Sequence, residues 1–324
     1  MFKSYLGIDV SKDKVDVVLI GEENKMKHKV FSQSPQGFQA LKDWLDAHAK
    51  APLHACLEST GTYSEDLACF LTEQGYKVSV LNPARISAFA KAHLSRNKTD
   101  RVDAELIARF CQTQNPEPWN PPDQATRELQ VLTRHLDHLN EALIREKNRL
   151  SSGFKSKPVT SSMQTLIACL EQQIKAICRQ IRDHIDQNPD LKQDHSLLKS
   201  IPGIGEITAS KLLAEIPNLK KYHSVRQLIA FAGLNPKQHF SGSSVHKKSR
   251  LSKTGSSRIR KALFMPALVA KTHGDVFKRF EQRLLLNGKS KMTAVAAIMR
   301  KLLHIAYGVL KNNQPFNPNL AFQP

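Results

Sequence analysis

Up to Leu81 the chain alternates short apolar runs with amphipathic stretches. The runs Ser4 to Val10 and Lys14 to Ile20 flank the polar segment Ser11-Lys12-Asp13, the pattern of two strands joined by a short turn. Lys27 to Phe31 offers a third strand. Phe38, Leu41, Trp44 and Leu45 then recur at helical spacing, and Leu53 to Leu57 returns to a continuous apolar run. A helix from about Tyr63 to Gln74 is stopped by Gly75, and Lys77 to Leu81 reads as a further strand. Three leading strands followed by β/α units predict an α/β domain with a mixed sheet. The helix carrying Asp103, Ile107 and Phe110 closes this domain ahead of the proline-bearing stretch from Asn115 to Pro122.

The pattern then changes. Leu129, Leu132, Leu136, Leu139 and Leu143 step by three and four, a seam at heptad spacing, and Ile167, Leu170, Ile174, Ile177 and Ile181 repeat it after a break at Ser151 to Pro158. Two such helices predict a coiled-coil hairpin whose seam either closes within the chain or pairs with another subunit. Farther on, Pro202-Gly203-Ile204-Gly205 lies between two helical patterns and has the form of a helix-hairpin-helix. In that reading the backbone at Gly203 and Gly205 grips a phosphate without reading bases, against the plainer reading of an ordinary helical turn. Gly233-Leu234-Asn235-Pro236 and the loop Ser241-Gly242-Ser243-Ser244 precede a basic run from Lys247 to Lys261, and the tail from about Met292 to Leu310 is helical again. The expected organisation is residues 1–122 α/β, 123–190 a helical hairpin, and 191–324 mainly α.

Charge sharpens the division. The 324 residues carry a formal net charge of +19. Up to Glu215 there are 28 Lys and Arg against 27 Asp and Glu, but from Ile216 onward 20 against 2. A charge serving only solubility would be spread more evenly; one basic third points to a polyanion, most plausibly nucleic acid. Lys247, Lys248, Arg250, Lys253, Arg258, Arg260 and Lys261 are the expected phosphate contacts, in a stretch that no acid interrupts from Ile216 to Gly274. A solvated basic face is the competing reading, although surfaces normally mix signs. No membrane partner is expected, because no apolar span of about 18 residues and no signal peptide are recognised. Cys56, Cys69, Cys111, Cys169 and Cys178 form no CxxC pair and read as reduced core thiols of a cytoplasmic protein.

Four acids carry the candidate chemistry. Asp9 and Glu58 each end an apolar run, and Asp100 and Asp103 are three residues apart on one helix face. Converged, they would make an oxygen-rich site of the kind that Mg²⁺ requires. Such a site can support phosphodiester chemistry.

The stretches Gly7-Ile8-Asp9-Val10-Ser11-Lys12, Glu58-Ser59-Thr60-Gly61 and Asn97-Lys98-Thr99-Asp100-Arg101-Val102-Asp103-Ala104 resemble the RuvC-like DEDD domain of a large family of bacterial insertion-sequence transposases. Ile201 to Arg260 resembles that family's C-terminal transposase domain, so the likeness spans nearly the whole chain. The resemblance implies an RNase H-like fold with Mg²⁺ held by Asp9, Glu58, Asp100 and Asp103, and a nucleophilic serine falling on Ser241. Judged on residues alone, Ser241 to Ser244 is an ordinary flexible loop, and Ser243 or Ser244 is close enough to be confused with Ser241. The family further implies donor and target DNA, a structured bridge RNA as guide, and a composite site in a homo-oligomer, a dimer or tetramer. Other readings are a non-catalytic nucleic-acid-binding scaffold, a junction-type nuclease, or an actin-like or sugar-kinase ATPase. That last class shares the Gly7-Ile8-Asp9 opening but would need a later glycine-rich adenosine motif, which the chain lacks.

Overall fold

The computed structural model describes residues 2–59, 62–93, 99–153, 156–216, 219, 222–241 and 245–319, without the side chains of 62, 238–241 and 245–249. The chain divides into two compact units, Met1–Pro121 and Pro122–Pro324.

The first unit is built on a five-stranded sheet in the order β3-β2-β1-β4-β5, from β1 (Ser4–Val10), β2 (Lys14–Ile20), β3 (Met26–Ser32), β4 (Leu53–Glu58) and β5 (Lys77–Leu81). β1, β2 and β3 pair antiparallel, whereas β1, β4 and β5 pair parallel, as a hairpin lead followed by crossovers requires. Helix α1 (Pro35–His48) is capped by Ser34, and α2 (Thr62–Glu73) follows β4. Alternation sorts the sheet's side chains onto two faces. Leu6, Ile8, Val17 and Leu57 form one cluster with Leu41 and Leu45 of α1 and Leu67 and Leu71 of α2. Val18, Ile20 and Cys56 face the other way, against α4 (Asp100–Gln114), which contributes Ala104, Ile107, Ala108 and Cys111. A short helix, α3 (Pro83–Ala92), lies between β5 and α4. The sequence pattern did not single it out, although Asn82 caps it by accepting from the Ala84 N–H, with Pro83 in the first turn.

Among the described residues, the second unit is helical apart from one hairpin. Its helices are α5 (Gln124–Ser151), α6 (Lys157–Gln187), α7 (Pro189–Lys199), α8 (Glu206–Glu215), α9 (Val225–Phe231), α10 (Ser257–His273), α11 (Asp275–Leu286) and α12 (Lys291–Asn312). Leu129, Leu136, Ile181 and Ile185 are buried in the same core as Leu212, Leu263 and Leu302, so this end of the seam closes within the chain. On α5, Val131, between Leu129 and Leu136 in sequence, and Ile144 beyond them are exposed. One expectation needs correction. By length and composition α12 is apolar enough to cross a membrane, though no such span was recognised in the sequence. Its apolar residues, Leu302, Leu303 and Ala306 among them, are packed into this core. Two antiparallel strands that the sequence pattern did not single out flank residues 242–244, β6 (Pro236–Ser241) and β7 (Val245–Leu251), and the basic run continues from β7 into α10.

Candidate active site

Parallel pairing of β1 with β4 sets Ile8 beside Leu57, so the next residues, Asp9 and Glu58, emerge at the same end of neighbouring strands. Alternation turns both toward the face covered by α4. That helix begins with Thr99 as its cap, whose hydroxyl accepts from the Val102 N–H, and its first turn carries Asp100 and Asp103. Acids are favoured at this end of a helix by the exposed N–H groups. Helix and strand approach very closely at Gly7, where a Cβ would lie 2.1 Å from the Ala104 carbonyl oxygen and 2.2 Å from the Ala108 nitrogen. Only glycine permits that contact, and it brings the first turn of α4 down to the strand ends.

The charges of Asp103, Asp100 and Glu58 all act on Asp9. Asp9 is pushed up to about 6, chiefly by burial, then by the negative charges of Asp103, Asp100, Glu58 and Asp16 in that order. A set of carboxylate oxygens that repel one another in this way fits a hard divalent cation, which would relieve the repulsion.

Asp16 is a fifth acid that the sequence reading missed. It pairs with Asp9 across β1 and β2 and is only 4% exposed. His28 Nε2 donates to Asp16 Oδ1 at 3.0 Å, and Lys14 Nζ lies 3.0 Å from Oδ2. Lys14 also donates to Asp100 Oδ2 at 2.6 Å. These bonds raise the pKa of Lys14 and lower that of Asp100. The signal was present in the sequence: hairpin pairing with alternation puts Lys14, Asp16 and Asp9 on one face.

Deeper on that face, His54, Cys56 and Cys111 have ligand atoms within 4.8 Å of one another, all buried. This second group differs in chemistry. Its soft sulfur donors suit zinc or copper better than magnesium. Ser79 Oγ donates to the Glu117 carbonyl at 2.7 Å and accepts from His54 Nε2 at 2.9 Å. Burial, then the Lys77 charge, lowers His54 to about 4, and burial pushes the Cys111 thiol far up. The neutral Cys111 thiol and the neutral His54 imidazole make this a polar seam in the core.

In the second unit, β6 ends at Ser241; the Ser241 side chain, residues 242–244 and the Lys247 and Lys248 side chains lie outside the described residues. The root of the hairpin is well defined. Ser252 N–H donates to Asn235 O at 2.8 Å, Lys253 N–H to Gly233 O at 3.2 Å, and Ser256 N–H to Phe231 O at 2.8 Å. Arg260 sits at the centre, its Nη1 within 2.9–3.1 Å of the carbonyl oxygens of Ala232, Gly255 and Ser256. A Cβ on Gly233, where φ is +67°, would lie 2.6 Å from that nitrogen. Arg260 therefore holds the hairpin root instead of pointing freely outward. Lys261 pairs with Glu141, and Arg258 lies 3.9 Å from Glu215, whereas Arg250 and Lys253 are exposed.

The two hairpin glycines also differ. Gly203, at φ +89°, is packed so closely that a Cβ would meet the Pro266 carbonyl at 2.5 Å, but Gly205 faces open space at the start of α8. Glu206 in that first turn is held ionised by Lys199.

Comparison with known proteins gives a consistent picture. A family model for DEDD transposases of the IS110 type, described as "Transposase", matches residues 6–156. A second, described as "Transposase IS116/IS110/IS902 family", matches residues 195–282. The chain is 37% identical over 323 residues to the pilin gene-inverting protein of Moraxella bovis, covering 99% of each chain. The protein of the same name from Moraxella lacunata is 36% identical over 323 residues, again 99% of each. The transposase for insertion sequence element IS1111A of Coxiella burnetii is 23% identical over 264 residues, 73% of this chain and 70% of that protein.

Proposed function

Because the chain belongs to the IS116/IS110/IS902 transposase family, whose members act on DNA, we propose that it is a metal-dependent DNA recombinase using Ser241 as nucleophile. The observation that carries this reading is that the charges of Asp103, Asp100 and Glu58 all act on partly buried Asp9. These four residues would hold the cation. Mg²⁺ bound there would polarise the scissile phosphate and stabilise the charge that develops on it.

The protein's own part is to deliver a hydroxyl. Ser241 Oγ attacks phosphorus, one phosphoester P–O bond breaks, and the released strand oxygen takes up the serine proton. The reverse attack by a strand hydroxyl reseals DNA and regenerates the serine, so exchange needs no ATP. Acids and serine lie in different units and must meet at one phosphate, within one chain or between subunits of a homo-oligomer. The exposed Val131 and Ile144 on α5 favour assembly. The Moraxella relatives, matched over 99% of the chain, are named for inverting a gene, which favours a second outcome from the same chemistry: inversion of a DNA segment.

Exposed Arg250 and Lys253, with Lys247, Lys248 and Arg258, supply phosphate contacts, and Gly205 leaves the α8 start open to one. Backbone contacts give affinity without sequence, which fits guidance by a structured RNA and action in the cytoplasm on the bacterial chromosome. The test is a DNA adduct that survives boiling in detergent. It should form with wild type and vanish in Ser241→Ala while DNA binding persists. Full recombination by Ser241→Ala would refute the serine, and loss only in Ser243→Ala or Ser244→Ala would move the role along the chain. Sequencing RNA co-purified with the protein tests the guide: no enriched structured RNA would remove it.

A further inference from the structure

We infer that Lys14 is a built-in counter-cation which the metal must displace from Asp100, so that loading of the acid site is coupled to the arrival of a DNA phosphate. The inference rests on the acid-site reading above. Its basis is an asymmetry in what the ammonium touches. On one side is Asp16, 4% exposed and held through its other oxygen by His28, a fixed anchor inside the sheet. On the other is Asp100, whose side chain is 52% exposed and which accepts from Lys14 at 2.6 Å. Lys14 itself is 47% exposed, so its head can leave Asp100 for solvent or phosphate without disturbing the core. Exposed pairs of this kind hold weakly, whereas a divalent cation among several carboxylates is held by all of them.

The chemistry follows from competition. One oxygen of Asp100 cannot be fully available to a cation while it accepts a short charge-assisted bond from an ammonium. A phosphate entering the site attracts the same ammonium, so the lysine would exchange a carboxylate for the substrate and free Asp100. The free protein would then bind metal more weakly than the DNA complex. Lys14 is on this account a positioning residue, acting through Asp100.

The test is calorimetric titration of Mn²⁺ into the full chain, with and without a short random-sequence DNA duplex. Wild type should bind Mn²⁺ several-fold more tightly when DNA is present. Lys14→Met should bind Mn²⁺ about tenfold more tightly than wild type without DNA and show no further gain with it, while Lys14→Arg should behave as wild type. Lys14→Gln serves as a second neutral variant if the methionine perturbs folding. Equal or weaker Mn²⁺ binding in folded Lys14→Met or Lys14→Gln would overturn the inference. A wild type that binds no Mn²⁺, or a folded Asp9→Asn that binds it as wild type does, would instead overturn the acid-site reading itself.

Discussion

The acid site and the serine hairpin are held in opposite ways. Each acid ends or opens an element whose apolar side is sealed in a core: Ile8, Leu57, Ala104 and Ile107 are all fully buried. The strands and helix are therefore fixed by hydrophobic packing, and Asp9 is held within reach of the negative charges of Asp103, Asp100 and Glu58. Strands β6 and β7 form a sheet of only two strands, an arrangement that is marginal by itself in water. What places the hairpin is its root, where backbone bonds and Arg260 clasp the turn at Gly233 to the segment before α10. The comparison teaches a division of labour. Under the proposed function, the metal site is the part whose geometry is fixed by a core, and the nucleophile is carried on a hairpin fixed at its root.

The sharpest way to break the first half is Gly7→Ala. The new methyl would overlap the Ala104 and Ala108 backbone, so α4 must shift or the unit must unfold. A loss of about 3 kcal/mol or more is expected in denaturant titration. Any folded remnant should bind Mn²⁺ poorly. The matching test of the second half is Arg260→Ala, which strands three carbonyl contacts. We expect about 2–3 kcal/mol lost, with faster amide exchange confined to the hairpin root, and partial recovery with Arg260→Lys.

Smaller effects refine the contrast. Lys247→Ala, Lys248→Ala and Arg250→Ala together should lower affinity similarly for unrelated duplexes. The slope of log affinity against log salt should flatten by about three, one for each lost phosphate contact. An unchanged slope would return the run to a solvated face.

The smallest effect concerns pH. Asp9 is raised from 3.8 to about 6 in the folded metal-free protein. Its contribution to stability is therefore complete below pH 3.8 and lost as pH rises through about 6. The full shift would correspond to about 3 kcal/mol, and solvent reaching the carboxyl reduces this to about 1–2 kcal/mol. Asp9→Asn should accordingly be more stable than wild type by that amount at pH 7 without metal, and the difference should close near pH 4. Thermal denaturation at the two pH values checks it; a destabilised Asp9→Asn at pH 7 would contradict the crowding of charges.

Much of this was legible in the chain because it depends on apolar periodicity. Ser4–Val10, Lys14–Ile20 and Lys77–Leu81 are strands with the bounds that their apolar runs imply, and Gly75, at φ +82°, follows the end of α2. Asp9 and Glu58 could be placed at strand ends for the same reason. The hairpin of β6 and β7 was not legible: Val245-His246-Lys247-Lys248-Ser249-Arg250-Leu251 lacks the apolar alternation that marks a half-buried strand. Asp16 was hidden differently, since its role depends on pairing with Asp9 across a turn. The roles of Gly7 and Gly203 follow from close approach to helices far away in sequence, which no local pattern records.

The central claim is that Asp9, Glu58, Asp100 and Asp103 hold the metal. It is tested most directly by an anomalous difference map from crystals of the protein grown with Mn²⁺. The account predicts a peak within about 2.2 Å of oxygens from these side chains. A peak beside His54, Cys56 and Cys111 with none at the four acids would contradict it.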